Sequence, residues 1–151
     1  MDHTYILLVE DNPDDELLTL RALHAGQVAN EIIVTRDGAE AVDFIFGNGN
    51  FAGRSVEDTP QLILLDLKLP KLDGIEVLQR IRADDRTCHL PVVILTSSDE
   101  DSDILKSYQC GANSYIRKPV DFVQFIEAVK QLKLYWLVLN VPPPKSKPSQ
   151  R

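Results

Sequence analysis

Leu62-Ile63-Leu64-Leu65-Asp66 decides the fold: four consecutive apolar residues, then a carboxylate. An unbroken apolar run of this length suits a strand covered on both faces. Alternate side chains point to opposite sides of a sheet, and here both sides must be dry. The same pattern opens the chain in Tyr5-Ile6-Leu7-Leu8-Val9, which runs into Glu10-Asp11. It returns in Pro91-Val92-Val93-Ile94-Leu95, which ends at Thr96. Ile32-Ile33-Val34 and Ser114-Tyr115-Ile116 are shorter versions, the second leading to Lys118.

Amphipathic stretches separate these runs. Asn12 caps a first helix, with Pro13 at its first position and Asp14, Asp15 and Glu16 in the first turn, where the helix dipole favours them. Leu17, Leu18, Leu20, Ala22 and Leu23 supply its buried face, and Gly26 stops it. Ala39 to Phe46, Ile75 to Arg82 and Asp103 to Gln109 read as the next three helices, and Asp121 caps a fifth. Asp37-Gly38 and Asp73-Gly74 are turn and helix-start signals. Short connections between alternating strands and helices require parallel pairing, with helices on both faces. The expected fold is α/β, a flavodoxin-like doubly wound five-stranded parallel sheet. Order 2-1-3-4-5 is one of its two common forms, and ligands gather at the carboxyl ends of its strands.

Composition narrows the function. The chain has 151 residues, 44% hydrophobic and 26% charged, as expected of an ordinary globule. Its net charge of -7 argues against nucleic acid as a partner, because phosphate contacts need a concentrated basic face. Cys88 and Cys110 form no C-x-x-C pair and read as reduced structural thiols. No signal peptide is legible and no apolar run reaches the ~18 residues of a membrane span, so a cytoplasmic location is expected. His3, His24 and His89 fall outside the strand-end residues.

The chemistry lies where polar residues interrupt the apolar runs. Glu10, Asp11, Asp66, Thr96 and Lys118 all follow strands and so share one edge of the sheet. A charge just past a buried run is costly unless paired or bound to a metal. Three converging carboxylates repel, and a hard divalent cation such as Mg²⁺ relieves that with oxygen ligation. A lysine and a hydroxyl add donors for further anionic oxygens. Together they suit a phosphoryl group held beside Mg²⁺, with a carboxylate as acceptor.

This constellation resembles the response-regulator receiver family, the CheY-like proteins, over about Thr4 to Leu134. The matching residues are Glu10-Asp11, Asp66, Thr96 in Leu95-Thr96-Ser97-Ser98, and Lys118-Pro119, with Leu69-Pro70 and Asp73-Gly74 in the loop after Asp66. The resemblance implies Asp66 as phosphoacceptor. It implies Mg²⁺ held by Asp11 and Asp66 with the Lys68 carbonyl, and with Glu10 acting through water. It implies Thr96 and Lys118 on the phosphoryl group, and Thr96 with Tyr115 as the switch. The Lys118-Pro119 bond is often cis in that family. Lys68 and Ser98 occupy positions that tune phosphoryl lifetime there, and a long cationic Lys68 suggests slow self-hydrolysis. Such a protein is a phosphoacceptor rather than an enzyme, apart from Mg-dependent self-phosphorylation and self-dephosphorylation.

Two features go beyond a minimal receiver. The Gly47 to Pro60 loop is long, and reads either as a tolerated surface insertion or as a partner-recognition element. Residues 135–151 form an apolar C-terminal extension and a proline-led tail after a receiver domain of residues 1–134. Tyr135, Trp136, Leu137 and Leu139 need cover, from the chain itself or from a twin subunit, and aromatic residues are enriched at interfaces. This ending, with the insertion, resembles the small response regulators that pair with cyanobacterial phytochromes. It implies a phytochrome-type histidine kinase as donor and a homodimer. With no output domain in view, the signal is expected to pass to a downstream protein through a surface of the domain.

Other functions fit less well. A phosphohydrolase of the haloacid-dehalogenase type needs a second acid two residues past the nucleophile, where Lys68 stands. A nucleotide or flavin binder lacks any glycine-rich phosphate loop. The remaining alternative is a phosphorylation-independent interaction module, although degenerate receivers usually lose the acceptor, the lysine or an acid.

Overall fold

The computed structural model describes residues 4–28, 30–98 and 100–118, together with positions 123, 124, 127, 130 and 131, all helical. Five strands, β1 (Tyr5–Val9), β2 (Glu31–Thr35), β3 (Leu62–Leu65), β4 (Val92–Thr96) and β5 (Ser114–Arg117), alternate with four helices. These are α1 (Pro13–Ala25), α2 (Gly38–Phe46), α3 (Gly74–Ala83) and α4 (Asp101–Gln109). All pairings are parallel and the order is β2-β1-β3-β4-β5. Most of the expected fifth helix, including Asp121, lies outside the described residues. So do Pro119 and the four interface candidates Tyr135, Trp136, Leu137 and Leu139.

The continuous apolar strands work as anticipated. Alternation sends Tyr5, Leu7 and Val9 to one face, where Ala41, Phe44 and Ile45 of α2 and Val77, Leu78 and Ile81 of α3 cover them. Ile6 and Leu8 face the other side, against Ala22 and Leu23 of α1 with Leu62, Leu64, Val93 and Leu95. Helices therefore lie on both faces.

The helix starts follow their caps. Asn12 Oδ1 accepts from the amides of Asp14 and Asp15, Asp37 accepts from Glu40 N–H, and Asp73 accepts from Glu76 N–H. Two expectations need correction. Leu17 is 48% exposed, because the inward face of α1 is set by Thr19, Ala22 and Leu23, one turn apart. Helix α4 begins at Asp101 rather than Asp103, since the amides of Asp103 and Ile104 already bond to Glu100 O.

Arg54 ties the long loop before β3 to the core. Its guanidinium lies over the Phe44 ring at 3.8 Å and donates to Phe44 O, to Tyr5 Oη at 2.7 Å and to Asp58 O at 2.8 Å. Phe51, in a short 3-10 turn (Gly49–Phe51), meets Phe44 edge-on at 5.2 Å. The insertion is thus stitched to α2 and β1.

Two glycines permit close approach at the strand ends. A Cβ on Gly74 would lie 2.2 Å from Asp66 O, and one on Gly38 would lie 1.7 Å from Leu72 O. Gly74→Ala is expected to lower unfolding free energy by about 1–3 kcal/mol through backbone overpacking, read from denaturant melts. The buried Thr35 hydroxyl has no hydrogen-bond partner among the described residues. Thr35→Val keeps nearly the same shape and removes that group, so stability is expected to rise by about 1 kcal/mol. An increased denaturant midpoint at unchanged slope is the check.

Candidate functional site

Strand register builds the site. Val9 pairs with Leu65, Leu65 with Ile94, and Thr96 with Arg117. The next residues along β1, β3 and β5 are Glu10, Asp66 and Lys118, so all three emerge at one edge beside Thr96. Glu10, Asp66, Thr96 and Lys118 are buried, whereas Asp11 is exposed.

Lys118 joins them. Its Nζ donates to Glu10 Oε1 at 2.6 Å, to Asp15 Oδ2 at 2.9 Å and to Asp66 Oδ2 at 3.4 Å. An ammonium has three donors, and all three are used. Burial works against the charged lysine, yet the hydrogen bonds to Glu10 and Asp15 and the Asp66 charge outweigh it and raise its pKa. Burial likewise pushes the Glu10 carboxyl up to about 7. The Lys118 hydrogen bond opposes that rise and the Asp66 charge adds to it.

Asp15 is a first-turn charge on α1, and the structure gives it this further partner. Nothing local marks it, since the contact joins residues 103 apart. Asn12 also serves twice, its N–H donating to Glu10 Oε2 at 3.3 Å.

Glu10, Asp11 and Asp66 each offer a carboxylate oxygen, and these oxygens lie within 4.8 Å of one another. The cluster has the all-oxygen character that a hard divalent cation takes. Lys68 follows on the loop after β3, its N–H donating to Asp66 Oδ1 at 3.3 Å. Its side chain is exposed and pairs with Asp103 at 3.5 Å.

Around Thr96 the polar groups form a chain. Ser98 N–H approaches Thr96 Oγ1 at 3.5 Å, Ser98 Oγ donates to Asp103 Oδ2 at 2.6 Å, and Tyr115 Oη donates to Ser98 O at 3.0 Å. The hydrogen bond from Ser98, with smaller help from Lys68, holds the Asp103 carboxyl below its ordinary pKa. Tyr115 is half-buried, with its ring against the α2/α3 side of the core. Asp103 is the second residue whose partners the sequence does not reveal, because an acid at a helix start already has a local explanation.

Among the described residues no helix is long and apolar enough to cross a membrane.

Known proteins share this fold and much of this sequence. The chain is 40% identical over 142 residues to the "probable methanogenesis regulatory protein FilR2" of Methanothrix harundinacea (strain 6Ac), covering 94% of this chain and 89% of that one. The crystal structure of the phosphorylated cyanobacterial phytochrome response regulator RcpA is 40% identical, with a TM-score of 0.82 over 94% of this chain and 99% of RcpA. The bacteriophytochrome response regulator RtBRR is 52% identical, with a TM-score of 0.76 over 93% of this chain and 84% of RtBRR. A family model described as the response regulator receiver domain matches residues 6–130. That match takes in all five described strands and ends at helical position 130, and the chain belongs to the response regulator receiver domain family.

Proposed function

We propose that this receiver takes a phosphoryl group from a histidine kinase onto Asp66 and signals through its surface. The observation that carries the reading is the Lys118 ammonium, held between the buried carboxylates of Glu10 and Asp66. In this reading an Asp66 oxygen attacks the phosphorus of a phosphohistidine. The P–N bond breaks, and the imidazole leaves with the electron pair. Lys118 and the Thr96 hydroxyl then donate to phosphoryl oxygens. Glu10, Asp11 and Asp66, with the carbonyl of Lys68, would hold Mg²⁺. When bound, the cation offsets negative charge on the acceptor and on the phosphoryl oxygens. Self-phosphorylation from small donors and self-dephosphorylation belong to the same chemistry.

The switch assignment rests on the chain of contacts from Thr96 through Ser98 to Tyr115. A shift of the Thr96 hydroxyl toward a phosphoryl group pulls on the loop that Tyr115 holds.

RcpA is a cyanobacterial phytochrome response regulator and RtBRR a bacteriophytochrome response regulator. With them as support, we assign a phytochrome-type kinase as donor; the cytoplasm is the location we infer from the sequence. The division into a receiver of residues 1–134 and an extension of residues 135–151 remains our reading of the sequence. So does a homodimer closed by Tyr135, Trp136, Leu137 and Leu139, which leaves a downstream protein to read the phosphorylated surface.

Incubation with acetyl phosphate and Mg²⁺ is expected to give a single phosphoryl adduct by intact mass. That adduct is absent without the cation and absent in Asp66→Asn. A full adduct on Asp66→Asn would overturn the assignment. Mg²⁺ at ten times its Kd is expected to stabilise the native chain by about 1.4 kcal/mol, raising Tm by about 3–6 °C. Asp11→Asn should lose most of that rise, as read by thermal melts without any phosphodonor.

A further inference from the structure

Asp103 stands in the first turn of α4, outside the acid cluster. One oxygen of its carboxylate, Oδ2, takes Ser98 Oγ at 2.6 Å and Lys68 Nζ at 3.5 Å. These partners come from different loops. Lys68 lies two residues past Asp66 and donates its N–H to Asp66 Oδ1. Ser98 lies two residues past Thr96 and turns its N–H toward Thr96 Oγ1. A cavity of about 450 Å³ opens along the loop that follows Asp66, with Asp11, Leu67, Lys68, Asp103 and Lys106 among its lining residues. One carboxylate oxygen therefore meets both residues, Ser98 through a short hydrogen bond and Lys68 through a longer, exposed ion pair.

We propose that Asp103 is a positioning residue for hydrolysis of the phosphoryl group, holding the Lys68 ammonium on α4 and so leaving the approach open to water. The inference rests on Asp66 being the phosphoacceptor. In the hydrolytic step a water oxygen bonds to phosphorus while the bond to the Asp66 oxygen breaks. The carboxylate leaves with the electron pair, and both water hydrogens stay on the product, dihydrogen phosphate. A phosphoryl dianion on Asp66 competes with Asp103 for the Lys68 ammonium. The Lys68 side chain is 66% exposed, so its pairing with Asp103 is weak and solvent-screened. Where Lys68 does transfer, it covers the phosphoryl oxygens and obstructs water. Asp103 thus shortens phosphoryl lifetime by keeping Lys68 occupied.

The test starts from chain phosphorylated with acetyl phosphate and Mg²⁺ and then freed of donor. Half-life is followed by intact mass. Asp103→Asn keeps an acceptor for Ser98 Oγ and removes the charge that holds Lys68. Its half-life is expected to lengthen about two- to five-fold, the scale of one exposed ion pair, and Asp103→Glu should stay near native. In Lys68→Met with Asp103→Asn the gain should vanish, giving the half-life of Lys68→Met alone. A merely structural role for Asp103 would not depend on the Lys68 ammonium. An unchanged or shorter half-life in Asp103→Asn, or a gain that survives Lys68→Met, overturns the inference and leaves the phosphoacceptor reading intact. No adduct on the native chain overturns both.

Discussion

The contact on which the site depends is the one between Lys118 and its three carboxylates. Glu10 and Asp66 sit at the ends of buried strands, where a lone carboxylate is costly to keep charged. Their negative charges also repel each other. The ammonium, delivered by the end of β5, answers both problems at once and reaches a third acid on α1. Removing one partner of such a buried group leaves the others unbalanced, a loss far larger than that of a surface ion pair. Sheet edge, α1 and the end of β5 are therefore held by one nitrogen.

Much of this was legible in the sequence because parallel α/β folds make it so. Strands buried on both faces appear as unbroken apolar runs, and the residue after each run has nowhere to go but the carboxyl edge. Glu10, Asp11, Asp66, Thr96 and Lys118 come together on that reasoning from the sequence alone. The cap residues Asn12, Asp37 and Asp73 were equally readable, since a cap acts within three residues of its own position.

What escaped was governed by reach. Asp15 and Asp103 lie in helix first turns, where an acidic residue already has a sufficient local explanation. Their second partners, Lys118 and Lys68, come from other parts of the chain. Arg54 escaped for a related reason: nothing in a loop sequence says that a guanidinium will lie over Phe44 and reach the hydroxyl of Tyr5. Leu17 shows the opposite error, because a hydrophobic residue beside the buried stripe of a helix need not belong to it.

The bond from Lys118 to Glu10 closes a span of 108 residues. In the sheet, β3 and β4 lie between the strands that carry its two ends. Such a long-range closure costs loop entropy that the pairing of the intervening strands offsets. A nascent or partly assembled chain can display Asp66 but not the lysine that completes the site. The buried acids and the ammonium that balances them therefore exist as one site only in the finished sheet.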